Sequence, residues 1–115
     1  MSKAVSKLKV IVVGGGIGGL AAAIALRRVG ADVEVYEQTA ELREVGAGIQ
    51  ISPNASRLLL RAGLGAPLEH YCTRPLSIVM RRWSDGSVLS QQPLAEASEA
   101  SFGAPYYHIY RPDLL

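Results

Sequence analysis

Cysteine is almost absent. Cys72 stands alone in a chain of 115 residues, so no internal disulfide can form, and a reducing compartment such as the cytoplasm is the simpler expectation. A lone cysteine reads as a small buried hydrophobe. Runs of like charge are missing too: the 12 basic and 10 acidic residues are scattered to a net +2, which leaves no footprint for nucleic acid or an anionic membrane surface. His70 and His108 have no Cys, Asp or Glu at ligand spacing, which argues against a metal site. No Ser, His and Asp constellation presents itself, and Ser52 before Pro53 reads as a helix cap. A long apolar span is lacking as well. Lys3, Lys7 and Lys9 precede an uncharged stretch from Val10 to Leu26 in the manner of a targeting segment, but its five glycines, its length and the closing Arg27 and Arg28 argue against membrane insertion.

What is present is the composition of an ordinary globular chain, 49% hydrophobic and 19% charged, which can build a core and excludes disorder for most of its length. The length fits one small domain, about a single layer of sheet with two or three helices. Leu8 to Val13 is a nearly continuous aliphatic run and reads as a parallel strand buried on both faces. Ile17 to Val29 favours helix, with Ala21, Ala22, Ala23 and Ala25 giving a slim surface to lie on a sheet, and Gly30 ends it. Asp32 to Glu37 alternates and reads as a second strand with Glu37 at its carboxyl end. Thr39 to Glu44 is expected to make a short helical turn, and Ile49 and Ile51 an extended segment.

Ser52 and Pro53 open a helix through Arg61 that Gly63 stops, and Leu68 marks a further helical turn. Leu76 to Trp83 and Val88 to Gln92 flank Ser84, Asp85, Gly86 and Ser87, the pattern of a small β-ribbon, with Trp83 packed beside it. Ala95 to Ser101, all Ala, Ser and Glu, reads as a surface loop. Tyr106 to Tyr110 reads as a half-buried strand, and Arg111 to Leu115 as the first turn of another helix. The fold class is therefore α/β: a Rossmann-like βαβ unit with a small β-ribbon.

Gly14, Gly16 and Gly19 satisfy G-x-G-x-x-G, and each has its own task at a strand-to-helix turn. Gly14 permits the bend, Gly16 lets a pyrophosphate approach the backbone, and Gly19 lets helix and strand pack closely. The helix beginning near Ile17 then offers free N–H groups and a positive dipole end to the phosphates. The acid at the end of the second strand, eighteen residues after Gly19, can accept both hydroxyls of an adenosine ribose, and would repel a 2′-phosphate. Ile17 and Gly18 in the first helical turn, and Gln38 beside the acid, complete the cofactor contacts expected here. Spacing leaves NAD and FAD both open, with FAD slightly favoured by glutamate at this position.

Taken together, VIVVGGGIGGLAAAIALRRVGADVEVYE, ELREVGAGIQISPNASRLL and YHIYRPDLL resemble the start of the single-component FAD-dependent aromatic hydroxylases, the salicylate-hydroxylase-like monooxygenases. The match runs along essentially the whole chain, and its specific part is Glu37 with Arg43 before GAGI and Arg111 in a terminal R-x-D-L. The resemblance implies that Arg43 lies by the ribityl and phosphate region of FAD and that Arg111 contacts the cofactor from a helix start. A guanidinium suits both, because its fixed fork of donors matches phosphate and hydroxyl oxygens. Pro112 departs from the small residue usual there, yet suits a first helical position.

The activity implied is hydroxylation of a small aromatic substrate, with NADH or NADPH as electron donor and dioxygen as oxidant. Flavin carries that chemistry, so no side-chain triad is expected. The family's Asp-Gly and Gly-Asp elements and its substrate-binding sheet are missing, and Asp85-Gly86 lies upstream of where the former belongs. The chain is accordingly expected to be an amino-terminal portion of an FAD-binding domain, an incomplete domain inactive alone. The alternatives are another FAD-dependent oxidoreductase sharing the βαβ unit and a truncated, non-catalytic dinucleotide-binding remnant.

Overall fold

Strand β1, Lys9–Val13, is built from β-branched residues, and helix α1, Ile17–Arg28, from alanine, leucine and isoleucine after the glycines. The structure is a computed structural model and describes residues 8–41 and 47–115. Arg27 and Arg28 lie in the last turn of α1, where a helix favours positive charge. Gly30, at φ +95, takes the left-handed conformation just past the cap residue Val29. Strand β2, Asp32–Tyr36, then pairs in parallel with β1, Lys9 opposite Asp32 and Val13 opposite Tyr36. A parallel pair needs a crossover connection between its strands, and α1 supplies it.

The second part opens with β3, Gly48–Ile51, and α2, Pro53–Arg61, for which Ser52 is the cap residue and Pro53 the first helical position. Gly63, at φ +83, follows the end of α2. Helix α3, Gly65–Tyr71, extends the turn expected at Leu68. Strands β4, Ser77–Arg81, and β5, Val88–Pro93, form the antiparallel ribbon, closed by a turn in which Gly86 has φ +72 and Asp85 Oδ1 accepts from the Ser87 N–H at 2.9 Å and its hydroxyl at 2.7 Å. Helix α4, Ala95–Phe102, is followed by β6, Tyr107–Tyr110, and α5, Arg111–Leu114. β6 pairs antiparallel with β3, and its His108 exchanges two 2.8 Å backbone hydrogen bonds with Thr73.

The Cα neighbourhoods divide the chain into two compact units, residues 1–46 with 111–115, and residues 47–110. In the first, α1 covers the face of the β1–β2 pair that carries Val12, and Ala23 and Ala31 are buried. In the second, Ile51, Leu68, Leu94, Ala104, Tyr107 and Ile109 form the core, and the fully buried Ser56 donates its hydroxyl to the Pro105 carbonyl at 2.6 Å.

Several expectations are corrected. Among the described residues, the strands form three two-stranded sheets instead of one layer. β1 is covered on one face only: Ile11 and Val13 point away from α1 and remain 63% and 86% exposed. Of the alanines in α1 just Ala23 is buried, since the others fall off the stripe facing the strands. The Ala/Ser/Glu segment is helix and not loop, because alanine and glutamate are strong helix formers, Ser98 is buried, and Gly103 at φ +68 provides the left-handed stop. Trp83 does not pack; it sits in the ribbon's turn, 96% exposed. Cys72 is half-buried instead of fully buried. Of the turn expected over Thr39 to Glu44, residues 39–41 form a bend and the remainder lies outside the described residues.

Candidate cofactor site at the mouth of helix α1

β1 ends at Val13, and Gly14 adopts φ +105, a conformation that other residues rarely tolerate. The Gly14 N–H donates to the Tyr36 carbonyl at 2.7 Å, carrying the β1–β2 ladder one rung into the turn. A Cβ built on Gly19 would overlap the Gly14 carbonyl oxygen and lie 3.4 Å from Val12 Cγ1, so α1 rests on the turn without room for a methyl group. At Gly14, Gly16 and Gly18, by contrast, a built Cβ meets nothing within 4 Å. The mouth of the helix is open.

Gly16 is the cap residue and no side chain caps the helix. The Leu20 N–H is bonded to the Gly16 carbonyl at 2.9 Å, which begins the helical ladder. Helix geometry therefore leaves the N–H groups of Ile17, Gly18 and Gly19 without carbonyl partners inside α1, and they sit at the positive end of its dipole. No acidic residue occupies the first turn.

Glu37 stands one residue beyond β2. Its Oε2 accepts the Gly15 N–H at 2.6 Å, and its Oε1 accepts the Thr39 N–H at 3.0 Å and the Thr39 hydroxyl at 3.1 Å. The Thr39 N–H, then the Gly15 N–H, then the Thr39 hydroxyl hold the carboxyl below its ordinary range, with a smaller pull from the Gln38 N–H, so Glu37 is an ionised acceptor at neutral pH. A Cβ on Gly15 would come within 3.1 Å of the Glu37 Cβ and 3.2 Å of Oε2, so the acid can lie this close because residue 15 is glycine.

The structure places Gly14 and Gly16 in the turn after β1 and Ile17, Gly18 and Gly19 at the start of α1, with Glu37 reaching this junction through its bond from the Gly15 N–H. Gln38 is exposed next to Glu37. Arg111 opens α5, is half-buried, and groups with the βαβ element in the first compact unit. Arg43 lies outside the described residues. The sequence reading missed Gly15 and Thr39. Gly15 occupies an unconstrained place in G-x-G-x-x-G, and Thr39 had its signal in the Glu-x-Thr spacing, where a carboxylate bonds the backbone two residues on. Chemically, the arrangement can take a diphosphate at the helix mouth and a hydroxylated sugar at the carboxylate.

Arg74 reaches Glu69 at 2.5 Å and Glu99 at 3.1 Å, and its guanidinium lies 5.4 Å from the Tyr107 ring centroid. Burial pushes the Cys72 thiol up, with a further push from Glu69, which keeps it protonated. Among the described residues, no three His, Cys, Asp or Glu side chains gather to hold a metal ion, and no helix is long and apolar enough to cross a membrane.

Comparison with known proteins agrees with this geometry. The model of the NAD(P)-binding Rossmann-like domain matches residues 12–43, the segment from β1 through the acid. The 3-amino-4-hydroxybenzoate 2-monooxygenase of Streptomyces platensis is 47% identical over 106 residues, 92% of this chain and 27% of that protein. The 3-hydroxybenzoate 6-hydroxylase of Polaromonas naphthalenivorans is 44% identical over 114 residues, 99% of this chain and 28% of that protein. The crystal structure of Klebsiella pneumoniae HpxO complexed with FAD and uric acid superposes with a TM-score of 0.83 at 31% identity, over 93% of this chain and 26% of that one. The chain spans about a quarter of the length of the relatives it matches. It is homologous to the N-terminal, FAD-binding quarter of the flavin-dependent aromatic hydroxylases.

Proposed function

We propose that this chain supplies the adenosine and pyrophosphate half of the FAD site of a cytoplasmic, flavin-dependent monooxygenase that hydroxylates a small aromatic substrate with NADH or NADPH and dioxygen. It forms the N-terminal portion of the FAD-binding domain. The observation that carries the reading is the 2.6 Å hydrogen bond from Gly15 N–H to Glu37, which fixes the ribose acceptor beside the phosphate-binding turn. Support for FAD over a nicotinamide dinucleotide as the resident cofactor comes from the likeness to an FAD-dependent monooxygenase of Beauveria bassiana and to HpxO, whose crystal structure contains FAD. The relatives' names, hydroxybenzoate and aminohydroxybenzoate oxygenases, point to an electron-rich aromatic acid as the substrate class. No nucleic acid and no membrane enters the proposal.

FAD, when bound, supplies the electron transfer and oxygen activation. The residues of this chain bind and orient it. The N–H groups of Ile17, Gly18 and Gly19 receive the pyrophosphate, Gly16 leaves it room, and Glu37 holds the ribose while opposing a 2′-phosphate. Gln38 flanks the sugar, and Arg43 and Arg111 supply guanidinium donors toward the phosphate and ribityl oxygens.

The test is to express this sequence together with any coding sequence that continues past Leu115 and record the absorption spectrum of the purified product. A yellow protein with bound-flavin bands, which consumes NADH or NADPH faster when hydroxybenzoates are added, is expected. A colourless product that FAD cannot reconstitute would defeat the proposal.

A further inference from the structure

Between the start of α2, the ribbon and α4, all within the second compact unit, lies an open cleft of about 390 Å³, a volume in the range of small-molecule sites. Its walls are mainly apolar, formed by Pro53, Ile78, Leu94, Phe102 and Tyr106. Arg57 is the charged side chain that lines it, and no acid does among the described residues. Two of the hydroxyls in its walls are already paired: Ser52 donates to Asn54 Oδ1 at 2.5 Å, and Tyr106 to Gln50 Oε1 at 2.8 Å. Ser98 differs. It lines the cleft at only 4% exposure, yet its hydroxyl makes no hydrogen bond with any described residue. A buried hydroxyl left unpaired is unfavourable, and a polar atom entering the cleft removes that penalty. Arg57 uses one donor on the Phe102 carbonyl, and a guanidinium carries five.

We propose that this cleft binds a small monocarboxylate with an apolar body, its carboxylate on Arg57 and its body against Pro53, Phe102 and Tyr106. Apolar walls exclude a sugar or a polyphosphate, whose hydroxyls and charges they would leave without partners. A single guanidinium matches a single carboxylate, and the Ser98 hydroxyl donates to the same ligand. None of the lining residues belongs to the glycine turn, so this site does not depend on the dinucleotide reading.

The probes are octanoate, whose body is a chain, and 2-naphthoate, whose body is a plane, titrated into the ¹⁵N-labelled intact chain and followed by amide resonances. At least one should bind saturably, with the largest shifts at Asn54 to Arg57, Leu94 to Ser98 and Phe102 to Tyr106, and the tighter of the two tells which body the cleft takes. The matching amide, octanamide or 2-naphthamide, should bind at least about tenfold more weakly, as loss of a charge-assisted hydrogen bond implies. Arg57→Gln should erase that preference for acid over amide, which loss of the Phe102 contact alone would not do. Ser98→Ala removes a hydroxyl that has no partner in the fold, so the melting temperature should hold while the acid binds about fivefold more weakly. No saturable binding of either acid, an amide that binds as tightly as its acid, or shifts confined to residues outside 47–110 would overturn the proposal.

Discussion

Gly16 and Gly19 are three residues apart in the same motif, and a methyl group would meet different surroundings at each. At Gly19 it would strike the Gly14 carbonyl, which is backbone and cannot swing aside; at Gly16 it would enter open space at the helix mouth. Gly19→Ala should therefore destabilise the chain by about 2 to 3 kcal/mol, the cost of overpacking a rigid contact. Gly16→Ser should leave the melting temperature unchanged or slightly raised, because Gly16 already has the extended φ of −70° of a cap residue and serine caps well. Its side chain would nonetheless stand where the pyrophosphate belongs, and ADP should bind at least about tenfold more weakly, equivalent to one charge-assisted hydrogen bond. Thermal melts and ADP titrations on the two variants check this; a Gly16→Ser variant that binds ADP as the wild type does would contradict the assignment of the helix mouth.

Among the elements, α3, α4 and β6 are tied through one phenol and one guanidinium. Tyr107 is almost fully buried and donates its hydroxyl to Glu69 Oε1 at 2.5 Å, while Arg74 bridges Glu69 and Glu99. Burial first, then the Glu69 bond, pushes the Tyr107 hydroxyl up to about 12 from an ordinary value of 10.0. A raised value in the fold means that the contribution is complete below pH 10 and is lost as the pH climbs through about 12. The Tyr107 hydroxyl, then Arg74, hold the Glu69 carboxyl below its ordinary 4.5, so that contribution is complete above this value and is lost in acid. Tyr107→Phe should cost about 1 kcal/mol near neutral pH. Its melting curve should approach that of the wild type as the pH rises from 10 through about 12, and again as it falls below 4.5; a gap that stays constant across that range would contradict the network.

The same scale shows what the sequence could disclose. The βαβ unit was legible because its glycines, aliphatic strand and terminal acid are each dictated by a separate backbone constraint. Ser52-Pro53 and Gly63 punctuated α2, and Asp85-Gly86 marked the ribbon, for equally local reasons. Helix α4 was not legible as polar composition, although Gly103 carried its stop. Thr39 and Gly15 escaped because their role depends on Glu37 folding back across 22 residues, which no single-sequence period encodes. The exposure of Ile11, Val13 and Trp83 is likewise a tertiary fact: the residue types are those of a core, and no described element of their own unit covers them.

At the scale of the whole molecule, the two compact units divide the labour unequally. Among the described residues, 47–110 hold most of the buried side chains, including Tyr107, Ile109, Leu68 and Leu94, whereas the unit carrying the glycine turn buries the side chains of Ala23 and Ala31. The proposed cofactor site thus belongs to the unit with fewer buried apolar side chains among the described residues, where backbone hydrogen bonds and the Glu37 contacts weigh more. Binding of an ADP moiety to that unit should stabilise it by mass action. The most direct measurement is an ADP titration of the ¹⁵N-labelled chain followed by amide resonances. The largest shifts are predicted at Gly15 to Gly19 and around Glu37 and Thr39, with residues 47–110 nearly unchanged. Shifts confined to residues 47–110, or none at saturating ADP, would contradict the claim that the mouth of α1 is the dinucleotide site.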